Sequence, residues 1–147
     1  MSIMSAKQLV TEANAEIETL SPEDAVKLMN SPNVVFVDAR ETHERRKAGS
    51  LKGPLHAPRG FLEFHADPSS PTHLKDLSSG KKLVLYCASG NRSALAARTQ
   101  ESIGIHDVAH VMGGLAALQK AGHLSKTLLE HLDGRLVDAR FNKETEQ

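Results

Sequence analysis

The chain has 147 residues, 18 Lys plus Arg against 18 Asp plus Glu, 39% hydrophobic residues and 3% aromatics, so one domain with a core of Leu, Val, Ile and Ala is expected. Zero net charge without a Lys/Arg-rich block removes the usual footprint for nucleic acid or an anionic membrane surface. No run approaches the roughly 18 apolar residues of a membrane span, and the single cysteine excludes an intrachain disulfide.

The first residues carry acids and lack the apolar stretch of a signal peptide, so a cytoplasmic, reducing setting is expected. Residues 5–15 predict a short helix with Leu9 and Val10 on its apolar side, and residues 17–20 a brief strand. A second helix starts at Ser21, with Ser21 as N-cap, Pro22 at the first position, and Glu23 and Asp24 in the positive first turn. Val34, Val35, Phe36 and Val37 form a short apolar run, the pattern of a strand buried on both faces.

Residues 41–49 read as a charged helix, and residues 49–60 as Gly and Pro turns around a short extended piece. A helical turn then leads into a Pro/Ser-rich loop, followed by a buried strand at 81–86. A helix over 91–104 closed by Gly104, a strand at 107–111 and a helix over 113–123 come next. A last amphipathic helix carries Leu124, Leu128, Leu129 and Leu132, for packing within the domain or across a dimer interface, and a polar, frayed tail is expected from about Arg135. Strands alternating with helices predict an α/β fold with a parallel sheet covered on both faces. In such sheets ligands bind beyond the carboxyl ends of the strands.

One carboxyl end carries unusual chemistry. The strand at 81–86 runs into Cys87-Ala88-Ser89-Gly90-Asn91-Arg92-Ser93. A lone cysteine after a strand is by default a small buried hydrophobe, but such a residue does not require a small, Gly-containing turn and an arginine after it. Small side chains at Ala88, Ser89 and Gly90 let the backbone curl so that successive N–H groups face inward, and the N–H groups of the next helix, starting near Ser93, point the same way. A free thiol has a pKa near 8.5, and such surroundings bring it to about 3.5–7.5. Each tenfold gain in acidity requires about 1.4 kcal/mol, whereas a helix terminus alone supplies about 0.3–1 kcal/mol. Several N–H groups and Arg92 must therefore act together, and Arg92 suits a bidentate contact with an oxyanion.

This loop resembles the active-site loop of the rhodanese (sulfurtransferase) family, C-x-x-G-x-[RST]-[ST], through Cys87, Gly90, Arg92 and Ser93. Asp38, Arg40, Glu44 and Gly53 resemble the family's upstream box, and Gly113, Gly114 and Gly122 its closing glycine motif. The resemblance spans about residues 17–123. Residues 1–16 are then an N-terminal helical extension, and 124–147 a C-terminal helix and polar tail. It implies a rhodanese-like central parallel sheet of about five strands with helices on both faces.

The resemblance also implies sulfane-sulfur transfer through a Cys87 persulfide, with Cys87 and Arg92 catalytic. Ala88, Ser89, Gly90, Asn91 and Ser93 would bind substrate, and Arg59, after a predicted strand at the same end, is a further candidate against the bland reading of an exposed arginine. Asn91 and Ser93 would hold the loop. The expected partners are a thiosulfate, persulfide or polysulfide donor and a thiol or protein acceptor, with no cofactor or metal, and the chain a monomer or homodimer. Asp38 and Arg40 are read as pins of the sheet edge, Arg40 pairing with Glu44 four residues on. Eight histidines show no HExxH or paired Cys/His spacing, and a lowered thiol pKa makes a general-base histidine unnecessary.

Three departures from the pattern stand out. Ser50 replaces a common His, Leu118 the usual Trp, and Ala88 a basic residue found in many thiosulfate-using members. The last bears on the donor. Phosphatases of related architecture use a Cys-x5-Arg loop, one residue longer than the Cys87–Arg92 spacing, so the ring is sized for a persulfide sulfur. Two other readings stay open: a non-catalytic module carrying sulfur for a partner protein, and a phosphatase or arsenate-type reductase.

Overall fold

The computed structural model describes residues 2–122 and 143–144. Its centre is a sheet of five parallel strands in the order β1-β6-β5-β2-β4. These are β1 (Glu18–Leu20), β2 (Val34–Asp38), β4 (Leu55–His56), β5 (Lys82–Tyr86) and β6 (Val108–Val111). The helices are α1 (Ala6–Glu16), α2 (Pro22–Leu28), α3 (Thr42–Ala48), α4 (Leu62–Ala66), α5 (Asn91–Ser102) and α6, described over residues 114–122. The sequence expectation of a parallel α/β sheet of about five strands holds.

Local chemistry accounts for most boundaries. Ser21 accepts the Asp24 N–H at 3.1 Å with Pro22 in the first turn, as the sequence predicted for α2. The α3 N-terminus is a capping box in which Glu41 and Glu44 satisfy each other's backbone N–H groups. Alternation along β5 builds two cores. Leu83 and Leu85 join Ala13, Ile17, Leu62, Ala94 and Ala97 on the α1/α4/α5 face. Val84 and Tyr86 join Ala25, Met29, Val111, Leu115 and Leu118 on the α2/α6 face. Each fully buried aliphatic side chain contributes about 1.5–3 kcal/mol.

Several expectations are corrected. On α1 the inward side carries Val10, partly buried, and Ala13, fully buried, whereas Leu9, expected beside Val10, is exposed. Helix α5 begins at Asn91, as the 91–104 span has it rather than near Ser93, with Gly90 in the left-handed region as its N-cap, and it ends at Ser102, before Gly104. The expected frayed tail is contradicted at β7 (Lys143–Glu144), which pairs antiparallel with β3 (Ser50–Leu51). The amphipathic helix expected around Leu124, Leu128, Leu129 and Leu132 lies outside the described residues. Among the described residues no helix is long and apolar enough to cross a membrane.

Arg40 does not pair with Glu44. Both residues flank the start of α3, and Arg40 turns inward to Asp38, with Nη2 to Oδ2 at 2.8 Å and Nε to Oδ1 at 3.1 Å. Nη2 also donates to the Gly49 carbonyl at 3.0 Å, tying the carboxyl end of β2 to the end of α3. Asp38 and Arg40 are 1% and 2% exposed, and Arg40 is the closer of two cations that compensate the buried carboxylate, with Arg45 Nε at 3.6 Å from Oδ2. Arg40→Ala should therefore lower stability by about 3–5 kcal/mol, measured as a urea midpoint shift at unchanged slope.

Candidate active site

Cys87 follows β5, the middle strand of the sheet, and is 1% exposed. Burial alone pushes its thiol up, but the Ser93 hydroxyl and the N–H groups of Ser93, Gly90 and Ser89 outweigh it and hold the thiol below its ordinary value. The Gly90 N–H donates to Sγ at 3.1 Å and the Ser93 N–H at 3.4 Å, and the Ser93 Oγ lies 3.6 Å away. The inward-facing N–H ring expected from the sequence is present.

Glycine geometry makes the ring. Gly90 has φ 102°, and a Cβ there would sit 3.2 Å from the Gly113 nitrogen. Gly114 has φ 64°, and a Cβ would lie 2.5 Å from the carbonyl oxygens of Cys87 and Ala88. The Gly113–Gly114 turn is thus wedged under the loop, and the Leu115 N–H donates to the Cys87 carbonyl at 2.8 Å. Ala88, Ser89 and Asn91 form the exposed rim, while Gly90 and Ser93 are buried with the sulfur. Ser93 Oγ also reaches the Gly90 carbonyl at 3.3 Å, bracing the loop.

Arg92 is placed differently from the expectation of a free oxyanion clamp. Its guanidinium grips Glu44 fork to fork, at 2.7 Å from Nη1 to Oε2 and 2.8 Å from Nη2 to Oε1. The Arg92 hydrogen bonds hold the Glu44 carboxyl down to about 2, against the upward push of burial and with help from the Glu41 N–H. The pair joins α3 to the first turn of α5. Arg59 is not brought to the ring. It donates to Glu63 at 3.0 Å and to Thr99 at 3.2 Å, about 9 Å along α5 from Ser93 by helical rise.

Sequence reasoning missed two residues behind the sulfur. His110, 2% exposed on β6, places Nδ1 3.0 Å from Ser93 Oγ. Its Nε2 lies 2.7 Å from Asn14 Oδ1 on α1. The one available signal was a histidine in an otherwise apolar strand, Val108-Ala109-His110-Val111; nothing local marks Asn14. Two clefts flank the ring. One of about 440 Å³ reaches Ala88 past His43, Lys47 and Gln119, and one of about 330 Å³ runs between Ser89, Asn91, Met112 and His110. Leu118, where the family pattern has Trp, is fully buried in the α2/α6 core.

Comparison with known proteins gives a match to the rhodanese-like domain over residues 21–121. A solved structure from Rhodopseudomonas palustris, a protein of unknown function described as a possible tyrosine phosphatase, is 42% identical at TM-score 0.78, covering 83% of this chain and 94% of that one. The polysulfide-sulfur transferase homodimer of Wolinella succinogenes is 28% identical at TM-score 0.59, covering 79% and 82%. The tRNA uridine(34) hydroxylase of Mesorhizobium japonicum is 28% identical over 123 residues, 78% of this chain. The chain spans only 38% of that hydroxylase and 30% of its Brucella ovis counterpart.

The depressed Glu44 carboxyl contributes stability that is fully present above its ordinary value near 4.5 and is lost as pH falls through about 2. Glu44→Gln should melt at lower temperature than the parent at pH 6, with the gap closing between pH 4.5 and 2; thermal melts across pH check it.

Proposed function

The chain belongs to the rhodanese-like domain family, and from that we propose that it transfers sulfane sulfur through a persulfide on Cys87. The Cys87 thiolate attacks the outer sulfur of a donor such as thiosulfate. The new S–S bond forms as the donor's own S–S bond breaks, and sulfite leaves with the electron pair. The persulfide remains in the ring of N–H groups until a thiophilic acceptor takes its outer sulfur and returns the thiolate. This is covalent catalysis with stabilisation by donors already in position. The observation that carries it is the convergence of the Gly90 and Ser93 N–H groups on the buried Sγ, at 3.1 and 3.4 Å.

The donor can be narrowed. Ala88 supplies no cation at the rim, and the Arg92 fork is committed to Glu44, so an oxyanion must break that pair to reach it. A polysulfide or persulfide chain needs no such clamp, and the Wolinella succinogenes neighbour is itself named a polysulfide-sulfur transferase. Arg92 then acts chiefly by fixing the first turn of α5 against α3, with Gly90 and Ser93 as the groups that meet the sulfur. The hydroxylase name belongs to proteins of which this chain matches about a third. Zero net charge gives the chain no overall attraction to polyphosphate, and a thiol or partner protein is the proposed acceptor.

The neighbour described as a possible tyrosine phosphatase supports a second reading. Against it stand the Cys-x4-Arg spacing and the engaged guanidinium, which leave no free fork for phosphate. Turnover of p-nitrophenyl phosphate at a rate comparable to sulfur transfer would restore that reading. A sulfur-carrying module without turnover would show the persulfide adduct and no release to an acceptor.

Incubation with polysulfide should add one sulfur mass to the intact protein and none to Cys87→Ser, which should also lose thiocyanate formation while keeping its circular dichroism spectrum. An adduct retained by Cys87→Ser would overturn the assignment.

A further inference from the structure

Behind Cys87 a hydrogen-bonded chain runs from the buried sulfur to the exposed Asn14 on α1: Sγ to Ser93 Oγ at 3.6 Å, Ser93 Oγ to His110 Nδ1 at 3.0 Å, His110 Nε2 to Asn14 Oδ1 at 2.7 Å. Its polarity follows from the last link. Asn14 Oδ1 also accepts from the Thr19 hydroxyl at 3.4 Å, so it is an acceptor and the facing Nε2 carries the imidazole proton. Nδ1 is then bare. The Ser93 hydroxyl donates to it and turns a lone pair toward the Cys87 thiol.

We propose that His110, held by Asn14, accepts the Cys87 proton through the Ser93 hydroxyl, so that the reactive thiolate forms as one half of a buried thiolate–imidazolium pair. The proposal rests on the reading of Cys87 as nucleophile. The S–H bond breaks as a new Ser93 O–H bond forms, the former Ser93 proton moves to Nδ1, and the serine ends neutral. Its hydroxyl now donates to the thiolate, and Nδ1–H donates back to Ser93 Oγ. Every donor and acceptor remains satisfied in both states. Loss of the thiol proton straight to solvent would instead force Ser93 to choose between the thiolate and a bare, buried Nδ1.

The surroundings fit a proton acceptor that is neutral at rest. Burial alone pushes His110 down to about 4. The elements packed against it are β1, β5, α1 and α5, whose charged groups are mostly matched elsewhere. Glu18 pairs with Lys82, Glu16 with Arg98 and Arg92 with Glu44, while Lys7, Glu12 and Glu101 lie on outer faces or edges. The one titrating group in its hydrogen-bonded chain is therefore Cys87. A negative charge there pulls the imidazole up, and a proton on the imidazole pulls the thiol down, so the two titrate as a pair. His110 also lines the cleft between Ser89, Asn91 and Met112, while a separate cleft reaches Ala88.

His110→Gln separates proton acceptance from positioning, because a glutamine amide bonds Ser93 and Asn14 but takes no proton. In the reduced protein, the pH midpoint of thiolate absorbance should rise by about one unit in His110→Gln, a tenfold loss of thiolate below the midpoint. A midpoint equal to the parent's overturns the proposal. The parent protein supplies the second measurement, independent of whether the variant folds. Nitrogen NMR should find the His110 ring still protonated where the thiolate is already present, and losing its proton at a lower pH once Cys87 is blocked with iodoacetamide. An imidazole that stays neutral while the thiolate forms also overturns it. Sulfur loading is scored separately by intact mass, so normal loading with unlinked titrations rejects the relay alone, and linked titrations without loading reject only sulfur transfer.

Discussion

The Cys87 sulfur is sealed from water, yet its thiol is held below its ordinary value, and its surroundings account for that conflict. Burial raises the thiol, while the Ser93 hydroxyl and three backbone N–H groups lower it further than burial raises it. Backbone donors suit this task because they are fixed by the fold and bring no flexible chain to be ordered. Their convergence requires Gly90 in the left-handed region and Gly114 tight against the carbonyl groups of Cys87 and Ala88. Part of the thiol's acidity is thus set by two turns that carry no charge.

The ring is held at three points by different kinds of force. Below it, alternation along β5 sends Leu85 into one core and Tyr86 into the other, which fixes where the strand ends and the loop begins. Beside it, the buried Asp38–Arg40 pair ties β2 to the end of α3. In front, the Arg92–Glu44 pair clamps α3 to α5. A guanidinium already matched to a carboxylate offers an incoming anion only exchange, not gain. That distinguishes this site from one in which an empty arginine fork waits for phosphate.

What the sequence revealed was whatever depends on neighbours in the chain. The N-cap at Ser21, the strand run at Val34–Val37, the curl after Cys87 and the role of Gly90 all rest on residues a few positions apart. Residues meeting across long separations were not legible. Glu44 and Arg92 are 48 positions apart, and Asn14 and His110 are 96 apart. Charge spacing favoured Glu44 with Arg40, because helix periodicity says nothing of a third element packed alongside. Arg59 was placed at the correct end of the sheet, but its side chain runs along α5 to Thr99. Leu9 failed for a smaller reason: it stands one position off the buried Val10, Ala13 and Ile17 stripe, which the apolar pair Leu9-Val10 does not reveal.

The packing of α1 has a consequence for what counts as the unit of this protein. The family match begins at residue 21, past the end of α1. Yet Ala13 lies in the same core as Leu85 and Ala97, and Asn14 bonds the imidazole behind the sulfur. A segment outside the family match is thus, in packing terms, part of the same core. A chain cut at the border of that match would need another way to fill the same groove and orient the same ring.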